Sequence, residues 1–320
     1  MKNNTVTLII PVKNSETTLQ EVLDSVEKQD YPIDLVMIVD NKSSDSSPDI
    51  MSKYAESSKF KVEVVNQTKD LGLAHSYNEA IKVAETSHIV SLQSDCVILH
   101  SGDFSKLMKA VEDKSVVVAC SMQTTPVDVW NRYNFWQKCL FARHVGRVLS
   151  GRNGRFCCYG TLALRKVGSF DEKTYRTAGE DGDILLKLGK LGKIVDVEDI
   201  IVDHLHSRAD NFSLSHYVYK ENQLAEAVGA CLSKNFSEIK LSNYKTAFIR
   251  PILVGGLLIP KLNIVIALMI VLFGSYLTKE VFRSEWRDWR IVMLPFVNVY
   301  LLFSYTYYFF KGMILVKQKL

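Results

Sequence analysis

The first hundred residues of this 320-residue chain alternate short apolar runs with segments of helical periodicity, and that alternation constrains the fold more than any other feature. Thr5 to Val12, Leu35 to Val39, Val62 to Val65 and Ile89 to Leu92 read as buried strands. Between them, Leu19, Val22, Leu23 and Val26 recur at helical spacing, with Ser15 as the expected N-cap and Tyr31-Pro32 as the break. Pro48 is placed to open a second helix, and Leu73 to Ala84 reads as a third. Strands that alternate with helices imply a parallel sheet with right-handed crossovers, and hence an α/β nucleotide-binding half. Such sheets gather ligand-binding groups at the carboxyl ends of their strands. Two runs deliver a carboxylate there: Asp40, and Asp95 in the polar interruption Gln93-Ser94-Asp95 between Leu92 and Val97.

The charge pattern narrows the class of ligand. The 39 basic and 35 acidic residues leave a net charge of +4 and are interspersed. This excludes the concentrated basic face of a nucleic-acid binder. Six cysteines show no Cys-x-x-Cys spacing, which points to reduced, buried thiols and fits a cytosolic compartment. The apolar run from Val6 to Ile10 is too short for a signal peptide and ends at Pro11.

The C-terminal quarter differs in kind. Ile252 to Leu277 is apolar except for Lys261, Asn263 and Ser275, and Ile291 to Phe310 is uncharged. Both reach the length of roughly 20 residues that a membrane span requires. The expectation is a globular domain over 1–245 and an α-helical membrane region over 246–320, with spans at about 252–277 and 291–310. Tyr300, Tyr305, Tyr307 and Tyr308 suit an interface belt. Lys240, Lys245 and Arg250 before the first segment, with Lys311, Lys317 and Lys319 after the second, favour cytoplasmic ends. Buried core helices are the alternative. Leu214 to Leu232 reads as a helix lying along the interface.

Several motifs together, in this order and spacing, resemble family-2 glycosyltransferases. They are Leu8-Ile-Ile-Pro-Val-Lys-Asn14, Leu23-Asp-Ser-Val-Glu-Lys-Gln29 and Ile38-Val-Asp-Asn-Lys-Ser-Ser-Asp45, followed by Asn78, Gln93-Ser94-Asp95, Gly179-Glu180-Asp181 and His204-Leu-His206. The resemblance covers roughly residues 5 to 210. It departs from the family where Lys13 replaces an aromatic residue, Asn41 an aspartate, Lys42 a glycine, and Gln93 the first acid of an Asp-x-Asp signature.

The resemblance implies a GT-A fold, Rossmann-like with a mostly parallel sheet, and inverting transfer from a nucleotide-diphosphate sugar. It implies donor contacts from Pro11, Val12, Asn14, Asp40, Lys69, Gln93 and Ser94, with Asp40 accepting from the nucleotide base. A turn-capping role is the alternative for Asp40. It further implies that Asp95, with His204 or His206, holds a divalent metal, magnesium or manganese, which takes only one or two protein carboxylates beside substrate phosphates. Asp181 is the implied catalytic base and Glu180 its neighbour on the acceptor side. Inverting transfer needs one carboxylate within reach of the acceptor hydroxyl. Both acids would also suit a first helical turn on structural grounds alone.

Asp183 reads as solvated surface; His75, His88 and His100 read as surface or packing residues. Arg152, Arg155 and Arg165, around an expected strand from Cys157 to Leu164, read as solvated charge, with diphosphate contact as the alternative. The aromatic run Trp130 to Phe141 could line an acceptor groove, lie at a membrane or pack a core. The expected activity is sugar transfer to a lipid-linked or other saccharide acceptor at the cytoplasmic face of the cell membrane. Its rivals are transfer of one sugar to a polyprenyl phosphate and a non-catalytic nucleotide-sugar-binding scaffold.

Overall fold

A computed structural model of the chain describes residues 4–175, 178–206, 211–237 and 241–317, without the side chains of 241–246 and 316–317. The chain forms two units. One comprises Met1–Pro126 with Gly146–Arg208, the other Val127–Val145 with Ala209–Leu320.

The elements follow the alternation in the sequence. Strand β1 (Val6–Val12) leads to helix α1 (Leu19–Glu27), β2 (Leu35–Asp40) to α2 (Ser47–Ser57), and β3 (Val62–Asn66) to α3 (Leu73–Val83). Then come β4 (His88–Leu92), β5 (Cys96–Ile98), α4 (Asp103–Ala110) and β6 (Val116–Thr124). Helices α5 (Val127–Asn131) and α6 (Phe135–Phe141) belong to the second unit. The chain returns to the first with β7 (Leu149–Ser150), β8 (Phe156–Gly160), α7 (Thr161–Lys166), α8 (Glu180–Leu188) and β9 (Lys193–His204). The strand expected to run through Leu164 ends at Gly160, and α7 begins at Thr161.

All nine strands join one sheet, ordered β3-β2-β1-β4-β8-β6-β9-β5, with β7 on β6. It is mixed where a mostly parallel sheet was expected. β1, β2, β3 and β4 pair in parallel, β8 runs antiparallel to β4 and β6, and β5 runs antiparallel to β9. Parallel neighbours require crossover connections, and α1 to α3 supply these only in the N-terminal half. Leu8, Ile10, Val12 and Ile38 pack on one face of the sheet, and Ile9, Met37 and Val39 on the other. Burial on both faces explains why these strands read as continuous apolar runs.

Ser15 does not cap α1, whose N-cap is Thr18. The Ser15 hydroxyl instead bonds that of Ser94 at 2.8 Å. Asn78 bonds the Phe170 backbone in both directions, at 2.9 and 3.0 Å, and so clamps the segment leading to α8. Five of the six cysteines are buried, none of the six forms a disulfide, and Cys231 is half-buried.

The second unit continues with α9 (Leu214–Lys234), α10 (Leu241–Gly256), α11 (Asn263–Leu277), α12 (Lys279–Ser284), a 3-10 turn at Trp289–Val292 and α13 (Leu294–Lys317). The expected boundary at residue 245 thus falls inside this unit, because the aromatic run packs there. Trp130, Tyr133, Phe135 and Trp136 are buried, Trp136 stacks on Tyr217, and Lys138 pairs with Glu285 at 2.6 Å. Along α9 and α13, a Cβ at Gly229 would lie 2.0 Å from the Phe309 carbonyl oxygen, and one at Gly312 lies 2.1 Å from that of Glu226. Glu221 accepts from Arg143 at 2.8 Å and lies 3.7 Å from Arg250, whose guanidinium covers the Tyr305 ring.

The two expected membrane spans are corrected. Ile252 to Leu277 is not one helix: α10 ends at Gly255-Gly256, and a turn through Pro260 and Lys261 precedes α11. At 15 residues, α11 is about 22 Å long, against a hydrocarbon core of about 30 Å. α13 has 24 residues, but Asn298, Ser304, Thr306 and four tyrosines dilute its apolar character. Among the described residues, no helix is long and apolar enough to cross a membrane. Of the expected flanking cations, Lys240, Lys319 and the side chains of Lys245 and Lys317 lie outside the described residues.

Candidate active site

The carboxyl ends of β1 and β2 meet in register, with Val12 opposite Asp40. Pro11 and Val12 are buried there. The Asp40 carboxylate accepts from the Ser43 amide at 3.1 and 3.2 Å, so it caps its own turn. Asn14, with φ 50°, accepts from the Ser44 amide at 2.8 Å. The residues that depart from the resemblance serve this corner. Lys13 donates to the carbonyls of Asn41 and Lys42 at 2.9 and 2.7 Å. Asn41 bridges Asp70 and the Leu71 amide. Lys42 has φ 59°, the left-handed conformation for which a glycine is the usual choice. Lys69 is exposed in the loop after β3.

Beyond β4 the chain turns through Gln93, Ser94 and Asp95. Three bonds hold the turn: Thr18 donates to the Ser94 carbonyl at 2.8 Å, the Gln93 amide to the Arg155 carbonyl at 3.0 Å, and the Leu205 amide to the Asp95 carbonyl at 2.8 Å. The antiparallel pairing of β5 with β9 sets Cys96 opposite His204 and brings two sequence-distant motifs together. His204 Nε2 lies 3.2 Å from Asp95 Oδ2, and His206 Nδ1 lies 3.9 Å from the same oxygen. The ligand atoms of Asp95, Cys96 and His204 fall within 4.8 Å of one another.

One carboxylate with imidazole nitrogen is a donor set suited to a divalent first-row metal such as manganese. Cys96 was missed in the sequence, but it is a poor ligand here. It donates to Asp95 Oδ1, and burial pushes its pKa well up, which keeps it a thiol. Burial lowers the pKa of His204 toward the neutral imidazole that a metal requires. Gln93 turns its amide to the Asn153 carbonyl at 3.3 Å.

Glu180 and Asp181 open α8, directly after Gly179 in a left-handed conformation at φ 92°. Glu180 is buried, and its Oε2 has no hydrogen-bond partner among the described residues. Burial and then the charge of Asp181 push its carboxyl up to about 7. Burial also raises Asp181, although the Gly182 amide donates to its Oδ1 at 2.7 Å and opposes the shift. Asp183 is not surface: it is fully buried and paired with Lys187 at 2.9 Å.

Arg155, read from the sequence as solvated charge, is held inside this constellation. Its Nη1 donates to Gln123 Oε1, and the Asn153 amide fits with its oxygen toward the same group. Its Nε is buried without a hydrogen-bond partner among the described residues. Its positive charge, behind the pull of His204, helps hold Asp95 below the usual carboxylate range despite burial, and it opposes the rise that burial imposes on Asp181. Neutral amides hold this guanidinium, and among the described residues its charge is not spent on an ion pair. Position offered the only sequence signal, since Arg155 lies immediately before a short apolar strand.

Comparison with known proteins agrees with this geometry. The sequence profile described as "Glycosyl transferase family 2" matches residues 7–172. A poly(ribitol-phosphate) beta-glucosyltransferase of Bacillus spizizenii is 35% identical over 92 residues, 28% of this chain and only 14% of that relative's length. The O-antigen chain rhamnosyltransferase RfbN of Salmonella typhimurium is 22% identical over 225 residues, 66% of this chain and 70% of the relative. A mannosyltransferase from Pyrobaculum calidifontis, solved with GDP-mannose and Mn2+, superposes with a TM-score of 0.63 at 17% identity, covering 95% of this chain and 86% of that one. Glucosyl-3-phosphoglycerate synthase from Mycobacterium tuberculosis, solved with Mn2+ and UDP, gives 0.52 at 16% identity, with 72% and 80% covered. The shared architecture is the GT-A type.

Proposed function

The chain belongs to glycosyltransferase family 2, and on that footing we propose that it moves a sugar, with inversion, from a nucleoside-diphosphate donor to a lipid-linked saccharide at the cytoplasmic face of the cell membrane. One observation carries the reading. A carboxylate–imidazole cluster at Asp95 and an acid pair of buried Glu180 and half-buried Asp181 are both reached by the charge of Arg155. That division suits a single displacement, in which leaving-group charge develops at one place and a proton leaves at another.

Asp181 takes the acceptor hydroxyl proton as that oxygen attacks the anomeric carbon and the bond to the diphosphate breaks. Glu180, with its raised pKa, holds a proton near neutrality and leaves the negative charge on Asp181. Arg155 presents its unspent Nε–H to the diphosphate. Pro11, Val12, Asn14, Asp40, Lys69, Gln93 and Ser94 form the donor side, with Asp40 free to accept from the base on its remaining lone pairs. Asp95 with His204, and His206 beside them, would hold a magnesium or manganese ion, which when bound neutralises diphosphate charge. The polymer-directed names of the poly(ribitol-phosphate) and O-antigen relatives support a cell-surface polysaccharide as the destination.

The test is release of nucleoside diphosphate from a panel of UDP-, GDP- and dTDP-sugars, with and without manganese and with membrane extract as acceptor source. Release from one donor is expected, and Asp181→Asn should lower it at least about a hundredfold while nucleotide binding persists. Binding without turnover under every condition would favour the scaffold. An acid-labile phosphodiester-linked sugar would favour a polyprenyl-phosphate acceptor.

A further inference from the structure

The helices of the second unit carry more apolar surface than their own packing covers. On α13, Phe296, Tyr300, Phe303, Tyr307, Phe310 and Ile314 recur every three or four residues, so they form one stripe. They are between 42 and 74% exposed. Leu301, Leu302 and Phe309, on the other side of the same helix, are buried. On α11, Ile264, Leu268, Leu272 and Tyr276 line one face and are 60 to 74% exposed, while Ile270 and Gly274 face inward. Leu258, in the turn before α11, is 86% exposed. A helix that is apolar all round is normally covered on every side, and these two are covered on one.

Charge and aromatic placement identify the cover. Between α11 and α13 the exposed residues include Arg283, Trp286, Arg287 and Trp289. The acids of that stretch are engaged: Glu280 pairs with Arg283 at 3.1 Å, Glu285 with Lys138 at 2.6 Å and Asp288 with Arg290 at 2.6 Å. Arg287 lies over the Trp286 ring at 4.7 Å and makes no ion pair among the described residues. Indole rings and unpaired arginine beside a broad hydrocarbon face match the headgroup level of an anionic membrane. The face must lie along the membrane rather than through it. α9, which packs along α13 through Ser304–Asn222 and Lys311–Glu226 contacts, carries Lys220, Glu226 and Lys234, charges that hydrocarbon would exclude.

We infer that the exposed face of α11 and α13 seats in one leaflet of a lipid bilayer, holding the protein in the interface plane without a spanning helix. The inference concerns binding and stands independently of turnover. It gives the lipid-linked acceptor of the proposed function a physical setting.

Flotation of the full chain with vesicles of phosphatidylcholine, alone or mixed with phosphatidylglycerol, tests it. The protein should float with both, more with the anionic mixture, and the excess should fall with added salt. Leu268→Glu with Leu272→Glu should lower partitioning at least about tenfold at an unchanged melting temperature. Brominated lipids should quench the fluorescence of Trp286 and Trp289 in the unaltered protein, a readout that needs no variant. The inference is overturned if the protein stays unbound, if the double variant floats as well as the parent, or if quenching is absent. A lipid-free dimer dissociated by the same variant would also overturn it, by assigning the face to a second copy.

Discussion

At the residue scale, the acid pair on α8 carries the sharpest expectations. An unfolded Glu180 releases its proton near 4.5, whereas the folded one holds it to about 7. Between those values the folded state binds more protons, so this group makes stability fall as pH rises through the window and stay level above it. Replacing it by glutamine should flatten that fall and stabilise the protein at pH 8 by up to about 3 kcal/mol, as read from urea midpoints across pH. Arg155 makes a different claim. Arg155→Gln removes a positive charge that acts on both Asp95 and Asp181. It should weaken nucleoside-diphosphate binding by about tenfold to a hundredfold, the usual worth of a charge-assisted hydrogen bond, as measured by titration calorimetry.

At the element scale, Glu221 of α9 answers two guanidiniums at once. Glu221→Gln should cost about 3 kcal/mol, because truncating one partner leaves buried charge uncompensated. The close α9–α13 approach should tolerate even less: Gly229→Ala places a methyl carbon 2.0 Å from a backbone oxygen and should lower the denaturation midpoint through forced separation of the helices. Neither feature was legible in the sequence, where Leu214 to Leu232 reads only as a helix lying along an interface. The strands β1 to β4 were legible because apolar runs with period-breaking turns specify them locally. The placement of candidate residues was legible where it follows strand ends, as with Asp40 and Asp95, or a helix start, as with Asp181. Arg155 was not, because its environment comes from Gln123 and Asn153, which are distant from it or follow no pattern. The membrane spans were misread because composition reports apolar content without reporting the Gly255–Pro260 break or the packing of α13's polar residues.

At the scale of the whole molecule, each unit has its own buried side chains and, on the two proposals above, its own ligand. Nucleoside diphosphate with manganese should raise the melting of the first unit, by several degrees at a hundredfold excess over Kd. Anionic vesicles should act on the second. Calorimetry that resolves the two contributions would show them shifting separately.

The distribution of thiols has a practical corollary. Burial holds Cys96, Cys139 and Cys158 well above the usual thiol range, and Cys120 and Cys157 are buried as well. Only thiolate reacts with maleimide, so a dye added at neutral pH should attach first at half-buried Cys231 on α9. The native chain thus supplies a single-site fluorescent label on the helix that packs along α13, and a colour change on contact with a bilayer could be followed there without altering a residue.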